Sequence, residues 1–137
     1  MALRTAAKQS AHDDAVRAAG QMYRDRDMHV WLNPDGETNT EIGGLFIDVI
    51  AAATAGRDNA WVMEVETEDS VTGLEAESQW KKYGEALSSW HLAVPVSRYE
   101  AARKLVVQHD VQHCSVIMWD KNPGGIHTFW GLPGLDK

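Results

Sequence analysis

Two apolar runs of strand length, separated by a turn, set the first limit on how this chain can fold. Gly44 to Ala52 reads Gly-Leu-Phe-Ile-Asp-Val-Ile-Ala-Ala, and Ala60 to Thr67 reads Ala-Trp-Val-Met-Glu-Val-Glu-Thr. Both are rich in β-branched and aromatic residues, the composition of strands. Gly56-Arg57-Asp58-Asn59 between them consists of turn formers, so an antiparallel hairpin is the economical connection. The carboxylates within the runs are the unusual feature. Asp48 sits between Ile47 and Val49, where an ionised carboxylate must be paired, bind metal or reach water. Glu64 and Glu66 lie two apart on the second strand, so their side chains leave one face about 7 Å apart while Trp61, Met63 and Val65 leave the other.

A Glu-x-Glu alone is as readily a half-exposed strand face as a site. Asp48 inside its apolar run tips the reading toward a site: if it pairs across the hairpin close to Glu64, three carboxylates converge, and their repulsion at neutral pH calls for cations or shared protons. Mg²⁺, or Mn²⁺ in its place, suits such a cluster, because a hard ion takes a few carboxylates, keeps waters and accepts phosphate oxygens. Removing Asp48 would take away a ligand and part of the repulsion, so a gain in metal-free stability is expected from sequence.

The remaining elements follow from periodicity. Ala15, Val16, Ala19, Met22 and Tyr23 share a face, which predicts a helix over about 8–24, followed by a strand from Met28 to Leu32. Asn33-Pro34-Asp35-Gly36 has the residues of a tight turn, and Asp35 is read as a turn residue. Thr72-Gly73-Leu74-Glu75 is a capping-box pattern, and Ala76, Trp80, Tyr83, Leu87 and Trp90 then recur at helical steps. His91 to Val96 predicts a strand, Ser97-Arg98-Tyr99-Glu100 a second capping box opening a helix to about Gln108, and Cys114 to Trp119 a further strand. The end of the chain reads as loop with at most an edge strand near Ile126 to Trp130. The order α-β-β-β-α-β-α-β implies a mixed central sheet flanked by helices, an α/β class in the broad sense, in one domain over 1–137 with a core at about 8–120 and a loop-rich tail at 121–137.

Composition narrows the function. With 137 residues, 44% of them hydrophobic, and no apolar run long enough to span a membrane, a soluble single domain without a membrane partner is expected. The lone Cys114 and the absence of a signal-like start fit a cytoplasmic protein. A net charge of −7 argues against general coating of nucleic acid, which depends on Lys and Arg neutralising phosphates. A nuclease is not excluded by it, since metal-binding carboxylates inflate the acidic count.

The arrangement resembles the PD-(D/E)XK nuclease superfamily, the restriction endonuclease-like fold, whose motif is an Asp, a variable spacer and then Asp or Glu-x-Lys. Asp48 is followed sixteen residues later by Glu64-Val65-Glu66, and Gln79-Trp80-Lys81-Lys82-Tyr83 matches the Gln-x-x-x-Tyr signature that RecB-type nucleases carry on the next helix. The motif residues lie between Gly44 and Tyr83. Three positions depart from the pattern: Glu66 stands where Lys is usual, Ile47 rather than Pro precedes Asp48, and Gly44 lies four residues before the Asp rather than three. The resemblance implies a metal-dependent nuclease acting on DNA, with RNA as an alternative and room for a homodimer. Asp48 and Glu64 would hold Mg²⁺ or Mn²⁺, the Val65 carbonyl would add a ligand, and Glu66 or Lys82 would position the attacking water. Gln79 and Tyr83 would orient the site or the substrate phosphate. Wheel angles put Gln79 and Lys82 on one flank of the Trp80 and Tyr83 face and Lys81 toward solvent, where it pairs with Glu77. The competing expectation is a protein of the same fold that has lost catalysis and serves as a nucleic-acid or protein interaction module.

Two further signals are set aside. His109, His113 and Cys114 have zinc-like spacing but lack a fourth ligand and straddle a helix-to-strand junction. Of the six tryptophans, Trp61, Trp80, Trp90 and Trp119 fall in the apolar phase of their elements, which favours core over base-stacking platforms.

Overall fold

Six strands form one sheet in the sequential order β1-β2-β3-β4-β5-β6. The computed structural model describes residues 6–33, 42, 44–57 and 59–135. Helix α1 (Ala6–Arg24) precedes β1 (His29–Leu32), β2 (Val49–Ala52) and β3 (Trp61–Val65). These strands form an antiparallel meander in which Val49 faces Met63 and Ile50 faces Val62. The expected hairpin is present. A helical segment then runs through α2 (Gly73–Glu75), a π-helical turn (Ala76–Trp80) and α3 (Lys81–Ala86) to β4 (Trp90–Pro95). A 3₁₀ turn (Val96–Arg98) leads into α4 (Tyr99–Gln108), and β5 (Cys114–Lys121) and β6 (His127–Trp130) close the sheet. Strands β3, β4 and β5 are mutually parallel, and β6 returns antiparallel to β5.

The parallel strands explain the layering. Two successive crossovers progressing the same way across a sheet place their helices on one face, given the strong right-handed preference of such connections. Accordingly, Trp80, Tyr83 and Ala102 share one core with Ile50, Val62, Leu92 and Val94. The other face is covered by α1, where Ala15, Val16, Ala19 and Tyr23 pack on Val49, Met63, Val65 and Ala93. Both faces are therefore apolar and covered, and the side expected to be purely acidic carries Val62 beside Glu64. The tail is also part of the core: Leu132 is buried beneath α1, and the Tyr23 hydroxyl donates to Pro133 O at 2.7 Å.

Several local expectations are corrected. The 72–90 helix ends at Ala86, because Leu87 is extended with ψ 141°, and Trp90 begins β4 rather than ending the helix. Thr72 caps as expected, its hydroxyl accepting the Glu75 N–H at 3.2 Å. Ser97 does not cap α4; its hydroxyl donates to Glu68 at 2.6 Å, and the 3₁₀ turn makes Arg98 the residue before the helix. Trp61 is 38% exposed rather than core. The Asn33 to Gly36 turn, with Asp35, lies almost wholly outside the described residues.

Gly84 shows how tightly α3 meets the loop before β5. A Cβ there would stand 2.5 Å from Gln112 O and 2.7 Å from Gln112 N, and that same carbonyl accepts the Trp90 indole N–H at 3.0 Å. Ala is favoured over Gly in a helix by about 1 kcal/mol. Overpacking against backbone costs about 1–3 kcal/mol, and here the neighbour cannot move without disturbing Trp90. Gly84→Ala is therefore expected to lower the urea midpoint despite its better helix propensity. A raised midpoint would show that the loop yields freely.

Candidate functional site

The side-chain alternation of the second apolar run breaks at Asp48. Ile47 and Ile50 both lie in the core on the α3 side, whereas Val49 lies on the α1 side. Strict alternation would send Ile47 with Val49, so the backbone bends at Asp48, just before β2 begins. Asn33 holds the bend: its N–H donates to Asp48 O at 3.0 Å and its side-chain amide to Ile47 O at 2.9 Å. The last β2–β3 pair is Val49 with Met63, and beyond it the strands part. The Val65 N–H beyond that pair donates to Asp48 Oδ2 at 2.8 Å, so the carboxylate stands in for a strand carbonyl. The Asp48 N–H donates in return to Glu64 Oε1 at 3.2 Å. Asp48 and Glu64 thus interlock at the fork. A flat hairpin would have set them side by side on one face; the bend instead brings Asp48 to the edge of β3.

Asp48 is gripped from one layer, and Glu64 and Glu66 from the other. On the α1 side, His12 Nε2 lies 3.1 Å from Asp48 Oδ2 and Nδ1 lies 3.2 Å from Asp13 Oδ1, which fixes the ring between two acids. From α3, the Tyr83 hydroxyl donates to Glu64 Oε2 at 3.1 Å and reaches Gln79 Oε1 at 3.4 Å. Glu66 lies deeper, 1% exposed, where Oε2 accepts the Trp80 indole N–H at 2.9 Å. Its carbonyl accepts the Trp119 indole N–H at 3.0 Å. The π-helical turn ends at Trp80, so the extra residue of that turn lies in the helix that carries both indole and phenol to the carboxylates. Such turns recur at functional sites.

Burial dominates the acid–base chemistry. It raises Glu64 well above the ordinary carboxylate range, and the charges of Asp48 and Glu66 raise it further. Burial pushes Glu66 from 4.5 to about 8, opposed by a Ser70 hydrogen bond and reinforced by Glu75. The Tyr83 phenol is raised by burial and then by Glu64, which keeps it a donor.

The consequence for stability has a definite sign. Between 4.5 and about 8 the folded protein retains a proton on Glu66 that the unfolded chain releases. Metal-free stability is therefore expected to fall as pH rises through that window and to be fully present below it. Glu66→Gln preserves the neutral shape and should flatten this slope. The check is a set of urea melts across the window on both proteins; equal slopes would remove Glu66 as the source.

Asp48, Glu64, Glu66, Gln79 and Tyr83 thus form one connected region. The two lysines diverge. Lys81 pairs with Glu77 at 3.5 Å, as its spacing suggested, and Trp80 is fully buried beside it. Lys82 is exposed at the rim of a cavity beside Tyr83. Val65 contributes its N–H to Asp48 at this fork. Sequence reasoning missed His12 and Glu75. His12 could have been found as the first position of the α1 stripe, three and four residues before Ala15 and Val16. Glu75 fits the capping box in sequence, yet it is 3% exposed and its charge raises Glu66. His109 bonds Glu77 at 2.8 Å, which accounts for one residue of the zinc-like trio.

The two carboxylates at the fork are oxygen donors of the kind a hard cation takes. Among the described residues, however, no three His, Cys, Asp or Glu side chains are gathered as ready ligands to one ion. No helix among the described residues is long and apolar enough to cross a membrane. No protein-family model, curated protein or solved structure matches this chain.

Proposed function

We propose that this chain is a metal-dependent nuclease of restriction endonuclease-like architecture that hydrolyses phosphodiester bonds in DNA, with RNA as the alternative substrate. The observation that carries the reading is the interlocked Asp48 and Glu64 at the β2–β3 fork, with Tyr83 of the following helix bonded to Glu64. The order helix, antiparallel β1-β2-β3, crossover helix and parallel β4 supports the architecture. Asp48 and Glu64 would hold Mg²⁺ or Mn²⁺. Such an ion supplies a Lewis acid for the scissile phosphate and a bound water of lowered pKa. The chain's own residues do the rest: His12 fixes Asp48, Tyr83 orients Glu64, Gln79 braces Tyr83, and Lys82 offers positive charge at the rim.

A second reading, a nuclease-fold protein that has lost catalysis and serves as a nucleic-acid or protein interaction module, is favoured by one observation. Glu66, which stands at the motif lysine, is buried, bonded to Trp80 and pushed up to about 8. It is mostly protonated at neutral pH and is not a cation there. Incubation of the wild type with single- and double-stranded DNA and RNA in Mg²⁺ or Mn²⁺ separates the two readings. Slow metal-dependent cleavage supports the nuclease, and metal binding without cleavage supports the module.

A further inference from the structure

Beside Tyr83 is a cavity of about 300 Å³ whose walls combine two features absent from the carboxylate fork. On one side the loop at Gly44, Leu45 and Phe46 forms the wall, and on the other Gln79, Lys82 and Tyr83 do. Leu45 and Ile47 are buried, yet Phe46 between them is 45% exposed, so an aromatic ring is displayed where its neighbours are core. Gly44 has φ +81°, a conformation that L side chains rarely adopt, and it lines the same wall. Opposite, Lys82 is exposed and, among the described residues, its ammonium has no ion-pair partner, whereas the adjacent Lys81 is engaged by Glu77. Tyr83 joins this cavity to the fork, since it lines the wall and donates to Glu64.

A ring, a free cation and an amide around a cavity that opens beside a carboxylate pair fit a ligand with one flat apolar face and one anionic group. We infer that this cavity is a nucleotide subsite for single-stranded nucleic acid, in which Phe46 stacks a base and Lys82 pairs with the phosphate leading toward Glu64. The inference rests on the nuclease reading for its link to the fork. Single strands are specified because a base within a duplex has both faces covered by its neighbours and cannot offer one to Phe46. With a net charge of −7, attraction must come from this local pair rather than from the whole surface.

The test is fluorescence anisotropy of a short labelled oligothymidylate, and of a duplex of equal length, in low-salt buffer containing EDTA. Oligothymidylate is expected to bind more tightly than duplex. Phe46→Ala should weaken it about tenfold, the effect of losing one stacked base. Lys82→Gln should weaken binding and make its salt dependence shallower by about 0.7 in log–log slope, the loss of one phosphate contact on a single strand. Lys81→Gln should leave binding unchanged. Circular dichroism confirms that the variants fold, which the exposure of both side chains favours. Failure of the wild type to bind oligothymidylate, tighter binding of duplex, or wild-type affinity in both Phe46→Ala and Lys82→Gln each overturns the subsite. Cleavage assays separate the two claims: oligothymidylate bound through Phe46 and Lys82 but never cut keeps the subsite and removes the nuclease. Metal-dependent cleavage that is indifferent to both substitutions does the reverse.

Discussion

Asp48→Ala is expected to abolish binding of Mg²⁺ or Mn²⁺ and, with it, any cleavage of nucleic acid. The same substitution tests a reversal of sign between sequence and structure. From sequence, relief of repulsion among three carboxylates predicts a gain in metal-free stability. In the folded protein Asp48 accepts the Val65 N–H and lies 3.1 Å from the His12 ring, so its removal leaves a buried backbone donor without its acceptor and takes one of two acids from the imidazole. A buried donor left unmade costs about 1–3 kcal/mol. The compensating relief is small, because Glu66 is pushed up to about 8 by burial and burial raises Glu64 as well, which lowers the repulsion there is to relieve. Thermal melts should therefore show a lower metal-free midpoint in Asp48→Ala, with a Mn²⁺-induced rise in the wild type alone. A mutant more stable than wild type would mean that charge repulsion, not hydrogen bonding, governs the fork.

Trp80→Ala carries the largest expected cost to folding. The side chain is fully buried in the core shared by α3, β3 and β4, and its indole N–H donates to Glu66 Oε2 at 2.9 Å. Truncating a buried Trp costs about 3–5 kcal/mol through transfer and cavity, a large part of the roughly 5–15 kcal/mol that holds a typical domain. Loss of the indole donor adds about 1–3 kcal/mol at Glu66. Trp80→Phe retains much of the volume and removes only the donor, so it should fall between wild type and Trp80→Ala in urea denaturation. If Trp80→Phe matches the wild type, the indole–Glu66 bond contributes nothing.

The hairpin, the two crossovers and the burial of Trp80 were legible because period-two and period-3.6 patterns report which face is covered. The end of the helix was not. Ala76, Trp80, Tyr83, Leu87 and Trp90 continue a helical row, but the last two lie beyond Ala86, and Trp90 is buried by pairing with Cys114 in the sheet. A strand residue can occupy a helical phase by coincidence. The π-helical turn is equally silent, since steps of four and three fit it as well as an α-helix. Trp61 has the core phase of β3 but begins the strand and reaches a cleft beside Gly134 and Leu135, where cover is partial. At the site, Asp48 and Glu64 stand out in sequence as carboxylates within apolar strands, but their geometry was not legible. Whether Asp48 stands on a face or at the fork depends on the bend fixed by Asn33, a contact fifteen residues away in sequence and without periodicity.

The proposed nuclease site requires Asp48 and Glu64 together to hold a divalent cation. Crystals grown in Mn²⁺ and measured at its absorption edge test it directly. An anomalous peak about 2.1 Å from carboxylate oxygens of both Asp48 and Glu64, the usual distance for a small hard divalent ion, is the predicted result. Full Mn²⁺ exposure with no peak at the fork, and with Tyr83 still donating to Glu64, would contradict it.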